Sequence, residues 1–419
     1  MYLKTNFFTT TLAILFCVAL LLPPPIVFPL FNFKFQAVDF LMPVLLGVIV
    51  INRWYKNWNE NYVKLLVCII PVILISIFLN RQFKAINDYF EIYRIFTYLV
   101  VFIFFKELYK PKWFNSTFDI LFVILLVFNL LHFHNIFHFN QIVMPVYCGE
   151  DNHHLTHFGL NSLLQPATKR MLGTLANPNN NAILFIMLTI RYLPKTKWNM
   201  REILFFTAGL IAILSSQSRT GFLAFSVIFF VNYCFTQISW KPLIIQIAGV
   251  CLVSWIFLTF NFFGNYNHTV VQNNSDYLLS LTNSSTFTSS SIQARWRIWQ
   301  ELTLQFLQKP IFGHAPQKNY FYANQLYAEN GYILWAWRYG IFGLAAFVAL
   351  FLLPIKKIIQ NIRTSIEAKQ LLLVIIIFII TNLTNSPLSH TTLSLMFFIF
   401  VGIFYCQYYH SKNEAVNQN

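Results

Sequence analysis

The chain has 419 residues, of which 57% are hydrophobic, 18% aromatic and only 10% charged. Soluble domains carry about 25% charged residues, and a water-soluble chain of this size could not hide so much apolar surface in one core, so a soluble globular protein is excluded. The formal charge of +15 raises nucleic acid as a partner, but the basic residues are scattered between apolar runs instead of forming a patch, which argues for no nucleic acid.

Apolar windows suited to crossing about 30 Å of hydrocarbon fall near 8–31, 36–52, 62–80, 92–109, 117–139, 180–194, 202–217, 220–238, 241–262, 330–353, 370–386 and 388–408. They predict an all-α polytopic membrane protein of about 12 transmembrane helices, with 1–419 a single integral membrane domain. The first window follows Lys4 as a secretory leader would. It reaches Phe31 without a small-residue cleavage signature, so it reads as the first span, kinked at Pro23-Pro24-Pro25. The windows 180–194 and 202–217 are short and read as tilted or partly broken.

Lysine and arginine set the orientation. With the N-terminus inside, 17 of the 29 basic residues fall in short inner segments and 12 on the outer side. Arginines make up 4 of the 17 and 7 of the 12, and a planar guanidinium suits bidentate phosphate binding. The six cysteines show no CxxC pair and read as single buried thiols. Two outer loops are long, about 140–179 and 263–329. The second is polar up to Ser291 and then reads as a helix over 291–308. No internal repeat of the transporter kind is present.

Four constellations carry chemistry. Ser215-Ser216-Gln217-Ser218-Arg219-Thr220-Gly221 lies between two apolar windows, placing Arg219 at the outer membrane boundary, where a guanidinium binds an anion or snorkels to the interface. In Arg295-Trp296-Arg297-Ile298-Trp299, a helix puts Arg295 and Trp299 on one face, as a diphosphate and sugar site or as an amphipathic interfacial helix. Glu329-Asn330 stands where the second loop re-enters the membrane. A desolvated carboxylate there suits general-base work, and a helix-start acid is the structural alternative. Arg338, about two turns into the following span, should face the bundle interior. Histidines form the fourth group: His132, His134, His138, His153, His154 and His157 lie on the outer side with Glu150 and Asp151. His153 or His154 with His157 has ligand-like spacing, but the loop is polar and irregular, and no metal is expected.

The segments Ala176–Asn181, Ser216–Gly221, Arg295–Trp299 with Pro310 and Gly313, and Asn330–Gly343 together resemble the O-antigen polymerase/ligase family (Wzy type) in order and spacing. The resemblance covers about 176–343. It implies a GT-C-like, metal-independent membrane glycosyltransferase without a cofactor, in a bacterial inner (plasma) membrane, with its active site facing the periplasm or exterior. Its substrates would be undecaprenyl-diphosphate-linked glycans as donor and acceptor, for O-antigen or capsular polysaccharide. A chain-length regulator is a candidate partner beside the lipid bilayer.

By this resemblance Arg219 and Arg295 bind the donor diphosphate, with Arg170 and Arg338 as helpers, and Trp299 and Asn330 contact sugar. Glu329 or His314 takes the acceptor's proton. The family commonly has His before the Asn at the end of the large loop. Glu329 stands there instead, which favours a polymerase over a ligase, where that histidine activates the acceptor. A lipid-oligosaccharide flippase or transporter is the rival of a different class. It predicts pseudo-symmetric halves and a polar path, whereas the charges here gather at one face.

Overall fold

The computed structural model describes residues 7–24, 26–28, 33–54, 60–80, 85–108, 111–148, 170–195, 199–236, 290–324, 326 and 328–417. The longer helices among them are α1 (Phe7–Leu21), α2 (Ala37–Ile51), α3 (Asn61–Leu79), α4 (Phe90–Leu108), α5 (Pro111–His134), α6 (Phe139–Cys148), α7 (Pro178–Thr189), α8 (Met200–Ser215) and α9 (Arg219–Thr236). After the second loop come α10 (Ser290–Gln308), α11 (Lys318–Ala323), α12 (Gly331–Leu352), α13 (Ile355–Asn361), α14 (Ile366–Thr381) and α15 (Thr391–Asn417). A helix therefore occupies every apolar window of the sequence except 241–262, which lies outside the described residues.

Five helical stretches among the described residues are long and apolar enough to cross a membrane: Asn61–Leu79, Lys112–His134, Arg219–Thr236, Gly331–Asn361 and Thr391–Ser411. The sequence windows predict about twelve. The difference has two physical sources. Helices of 15 or 16 residues, such as α2 and α14, rise about 22–24 Å, short of the hydrocarbon thickness. α4 is long enough but carries Glu91, Arg94, Lys106 and Glu107.

The first window is also corrected. Helix α1 stops at Leu21, and a hairpin of two strands, β1 (Ile26–Phe28) and β2 (Phe33–Phe35), follows in antiparallel register with Ile26 opposite Phe35. Consecutive prolines offer no backbone donor and hold their predecessors extended, so Pro23–Pro25 end the helix instead of kinking it. The expected burial of every thiol is likewise revised: Cys17 is buried, whereas Cys68 and Cys234 are exposed on apolar helices.

The chain divides into two compact units, one formed by 1–13, 40–110 and 287–419, the other by 14–39 and 111–286. In unit one, α4 packs along α15, with Tyr98 stacked on Phe398 at 4.4 Å between ring centroids and Phe102 edge-on to Tyr405 at 5.4 Å. The buried hydroxyls find backbone carbonyls, Tyr98 donating to Leu388 at 2.8 Å and Tyr62 to Leu350 at 3.0 Å. In unit two, α7 is the central element, with Asn181 through Thr189 buried, and it packs against α8 and α9. Asn177 caps α7, accepting the N–H groups of Asn179 and Asn180, and Pro178 follows at the first helical position. Asn199 and Glu202 form a capping box at the start of α8.

Candidate functional site

In unit two, the segment Ser215–Gly221 ends α8 and starts α9. Gln217 turns the chain in the left-handed region at φ 49°. The Ser218 hydroxyl then accepts the Gly221 N–H at 3.1 Å, capping α9. A Cβ on Gly221 would stand 2.7 Å from that of Ala182, so glycine lets α9 approach α7 closely. Arg219 is the first residue of α9 and is exposed, and it enters none of the ion pairs among the described residues. A cation at a helix N-terminus opposes the dipole, but an anion there meets both the guanidinium and the positive helix end.

Arg170 braces this turn. Its Nε donates to the Ser216 carbonyl at 2.9 Å, and its Nη2 to the Gln217 carbonyl at 3.0 Å and to Asn179 Oδ1 at 3.1 Å. Of the first long loop, the described residues are those within α6 and those from Arg170 onward. Within α5 and α6, buried His132 donates through Nδ1 to Asn140 Oδ1, and Asn140 Nδ2 returns a bond to the His132 carbonyl at 3.0 Å. His153, His154, His157, Glu150 and Asp151 lie outside the described residues. No three His, Cys, Asp or Glu side chains among the described residues could hold a metal ion.

In unit one, α10 begins at Ser290, one residue before the sequence expectation, and ends at Gln308. Arg295 and Trp299 share its inner face. Arg295 Nε donates to Glu329 Oε2, and Trp299 Nε1 donates to the Ala328 carbonyl. The Arg295 side chain is 27% exposed and that of Glu329 is 42% exposed, so the carboxylate is ion-paired and half in contact with the surroundings instead of desolvated. Glu329 holds φ at 41°, a strained setting for a non-glycine residue that aims its side chain back at α10. Asn330 is buried and caps α12, its Oδ1 accepting the Ile333 N–H at 3.0 Å and its Nδ2 donating to the Leu383 carbonyl at 3.0 Å. Its amide is therefore occupied within the protein, which is how this sequence-predicted sugar contact is placed.

Further along α12, Gly340 adopts φ 67° and ψ −160°, breaking the helix inside an apolar span. Irregular backbone at such a depth survives only when its polar groups are paired within the protein. The turn after α10 supplies the partners: His314 N–H donates to the Trp337 carbonyl at 2.9 Å, Ala315 N–H to the Arg338 carbonyl at 2.8 Å, and Ile341 N–H to the Pro310 carbonyl at 2.8 Å. Ser76 on α3 adds its hydroxyl to the Arg338 carbonyl at 2.9 Å. The Lys309–His314 motif thus clamps the break.

His314 stacks on Trp337 with centroids 4.9 Å apart, and its Nε2 lies 2.8 Å from the Gln305 carbonyl. A carbonyl can only accept, so Nε2 carries the proton and Nδ1 is the basic nitrogen. Burial, helped by the Lys309 charge and opposed by the Gln305 bond, holds the imidazole below its ordinary range.

Arg338 points at a buried carboxylate that motif reading did not single out. Its Nη1 stands 3.7 Å from Glu91 Oε1, and Glu91 also meets Arg94 and Lys318, each at 3.0 Å. Arg94 and Lys318 are two of the 12 basic residues that the Lys and Arg distribution puts on the outer side. Glu91 carried a faint signal, an acid three residues before an arginine at the start of an apolar helix. Arg295, Glu329, Trp299, Asn330, His314 and Arg338 belong to unit one, and Arg170 and Arg219 to unit two.

Residues 203–348 match a family model described as O-Antigen ligase. The match takes in the Ser215–Gly221 turn, all of α10, the clamp over Gly340 and most of α12. No curated protein matches the chain.

Proposed function

We propose, from the match of residues 203–348 to a family model described as O-Antigen ligase, that this multi-pass membrane chain is a polymerase of lipid-linked oligosaccharide repeat units. The growing glycan sits on undecaprenyl diphosphate at the outer face of a bacterial inner membrane. The next lipid-linked repeat supplies the acceptor hydroxyl. The oxygen of that hydroxyl attacks the anomeric carbon, the bond from that carbon to the diphosphate oxygen breaks, and the hydroxyl proton passes to a base. The products are a longer glycan on the acceptor lipid and free undecaprenyl diphosphate.

The observation that carries this reading is the Arg295–Glu329 pair at the return of the second loop, where the family commonly has histidine. Without donor, Arg295 and Glu329 neutralise each other. An arriving diphosphate competes for the guanidinium, which offers bidentate hydrogen bonds to phosphoryl oxygens. Arg295 then leaves the Glu329 carboxylate unpaired just as the acceptor arrives, free to take its hydroxyl proton. Positive charge on the leaving diphosphate is the main catalytic contribution. In unit two, Arg219 is the anion-binding residue its motif suggests, with Arg170 holding the turn that presents it. His314, with Nδ1 as its basic nitrogen, is the alternative proton acceptor.

The test is glycan analysis of a strain lacking the gene. Single repeat units, on the final acceptor or on the carrier lipid, are expected. Long polymer stranded on undecaprenyl diphosphate would replace polymerase by ligase, and intermediates trapped on the cytoplasmic side would replace it by flippase.

A further inference from the structure

A second group of charges in unit one is unused by the reaction as written. Glu91, at the start of α4, has a side chain only 6% exposed and is met by Arg94 from its own helix, Lys318 from α11 and Arg338 from the first half of α12. The three cations are also largely enclosed, between 12% and 23% exposed. Asp88 is the other anion beside them among the described residues. Its Oδ1 accepts the Lys318 backbone N–H and its Oδ2 that of Ala85, both at 3.1 Å. Among the described residues, three positive side chains thus lie beside two negative ones.

Ionisable groups enclosed in a membrane protein mark ligand sites by default. Two neighbouring polar atoms point the same way. The Nε of Arg338 and the hydroxyl of the next residue, Tyr339, are buried without a protein partner, and Tyr339 is 1% exposed. Both can donate hydrogen bonds to a phosphoryl oxygen.

This group is separate from the Arg295 pair. Trp337, beside Arg338, donates its indole N–H to Gln305 at 2.8 Å, and Gln305 lies about 15 Å along α10 from Arg295 by helical rise. Along α12, Arg338 is about 12 Å beyond Asn330. Unit one therefore presents one cation at the loop's return and a cluster of three deeper in.

We propose that Arg94, Lys318 and Arg338 form a second anion station, which takes the diphosphate headgroup of a second lipid-linked glycan. Glu91 is its positioning residue, gathering three cations that would otherwise repel one another. The inference rests on the polymerase reading, in which donor and acceptor both arrive on a polyprenyl diphosphate and two such headgroups are held at once.

The experiment uses the full chain in nanodiscs, titrated with undecaprenyl diphosphate and, separately, with inorganic diphosphate. Two equivalents of the lipid per chain are expected. Lys318→Met should weaken one of them by about tenfold, and so should Arg94→Lys, which keeps the charge next to Glu91 but loses the fork. Arg295→Lys should weaken the other. A single equivalent in the unmodified protein, or two of unchanged affinity in both cluster variants, would overturn the station. Inorganic diphosphate bound through Lys318 and Arg94 as tightly as the lipid would overturn the lipid headgroup as its ligand. Two equivalents, one of them dependent on the cluster, in a protein whose gene deletion strands long polymer would support the station and sink the polymerase reading alone.

Discussion

Arg295 donates through Nε to Oε2 of Glu329, joining a helix within the second long loop to the residue just before the cap of α12. The pair ties the binding of an anion to the freeing of a base. Arg295→Lys should abolish long chains while leaving the protein at normal level in the membrane, because lysine keeps charge and loses the fork. Glu329→Gln should lower turnover by about 10²–10⁴, the usual range for a general base. The two defects should combine to less than their product, since each variant breaks the same pair. Chain-length distributions and in vitro turnover of the single and double variants check this, and multiplicative losses would separate the roles.

Arg219 stands exposed at the first position of α9, behind the Ser218 cap. Arg219→Lys should shorten the glycan without lowering thermal stability, because no described ion pair is lost. Arg170→Lys should do the reverse first. It removes bonds to the Ser216 and Gln217 carbonyls and to Asn179, leaving part-buried acceptors at a cost of about 1 kcal/mol. Melting curves of both variants beside their glycan patterns distinguish a ligand contact from a brace.

Much of this architecture is legible in the sequence because lipid imposes one strong rule, a helix for each apolar run. The helix over 290–308 is legible for a related reason, since its Arg and Trp recur at helical spacing. Three features are not. The hairpin after α1 hides inside a continuous apolar run, and only the prolines hint at it. The break at Gly340 depends on donors from the Pro310–Ala315 turn, and glycine in an apolar helix has many uses. The Glu91 cluster draws Lys318 and Arg338 from far along the chain, and single-sequence reading has no handle on such contacts.

Orientation is tested independently of any site. The distribution of Lys and Arg predicts the second loop outside and the segment around Arg363 inside. A reporter active only outside the membrane should work when fused after Asn283 and fail after Arg363. The opposite pattern would invert the sidedness of every assigned residue.

Gly340 occupies a backbone region open in practice only to glycine, and a Cβ there would collide with the Ile311 carbonyl. Gly340→Ala should cost about 3 kcal/mol or more in stability. It should also loosen the turn that carries His314, because the Ile341–Pro310 and Ala315–Arg338 hydrogen bonds depend on the break. Protease accessibility around 309–315 should rise in that variant, and wild-type protection would show that the break can be rebuilt without glycine.

His314 supplies the pH dependence. Burial first, and the Lys309 charge second, hold its folded pKa below the ordinary histidine value, against the pull of the Gln305 carbonyl. In the unfolded chain the imidazole titrates near its ordinary value of about 6.5. As pH falls through that value the unfolded state takes up a proton that the folded state refuses, so stability is lost. The loss begins near the ordinary value and ends once pH has passed below the folded one, where both states are protonated. The contribution is fully present above the ordinary value. His314→Gln removes the titration while keeping a side-chain amide that can donate to the Gln305 carbonyl. Other histidines titrate over the same range, so the informative quantity is the difference between wild type and variant. Melting temperatures measured from pH 8 to pH 5 should fall more steeply for the wild type than for His314→Gln. Parallel curves would mean that His314 protonates equally well in both states, and would remove it as a site held neutral and ready to accept a proton.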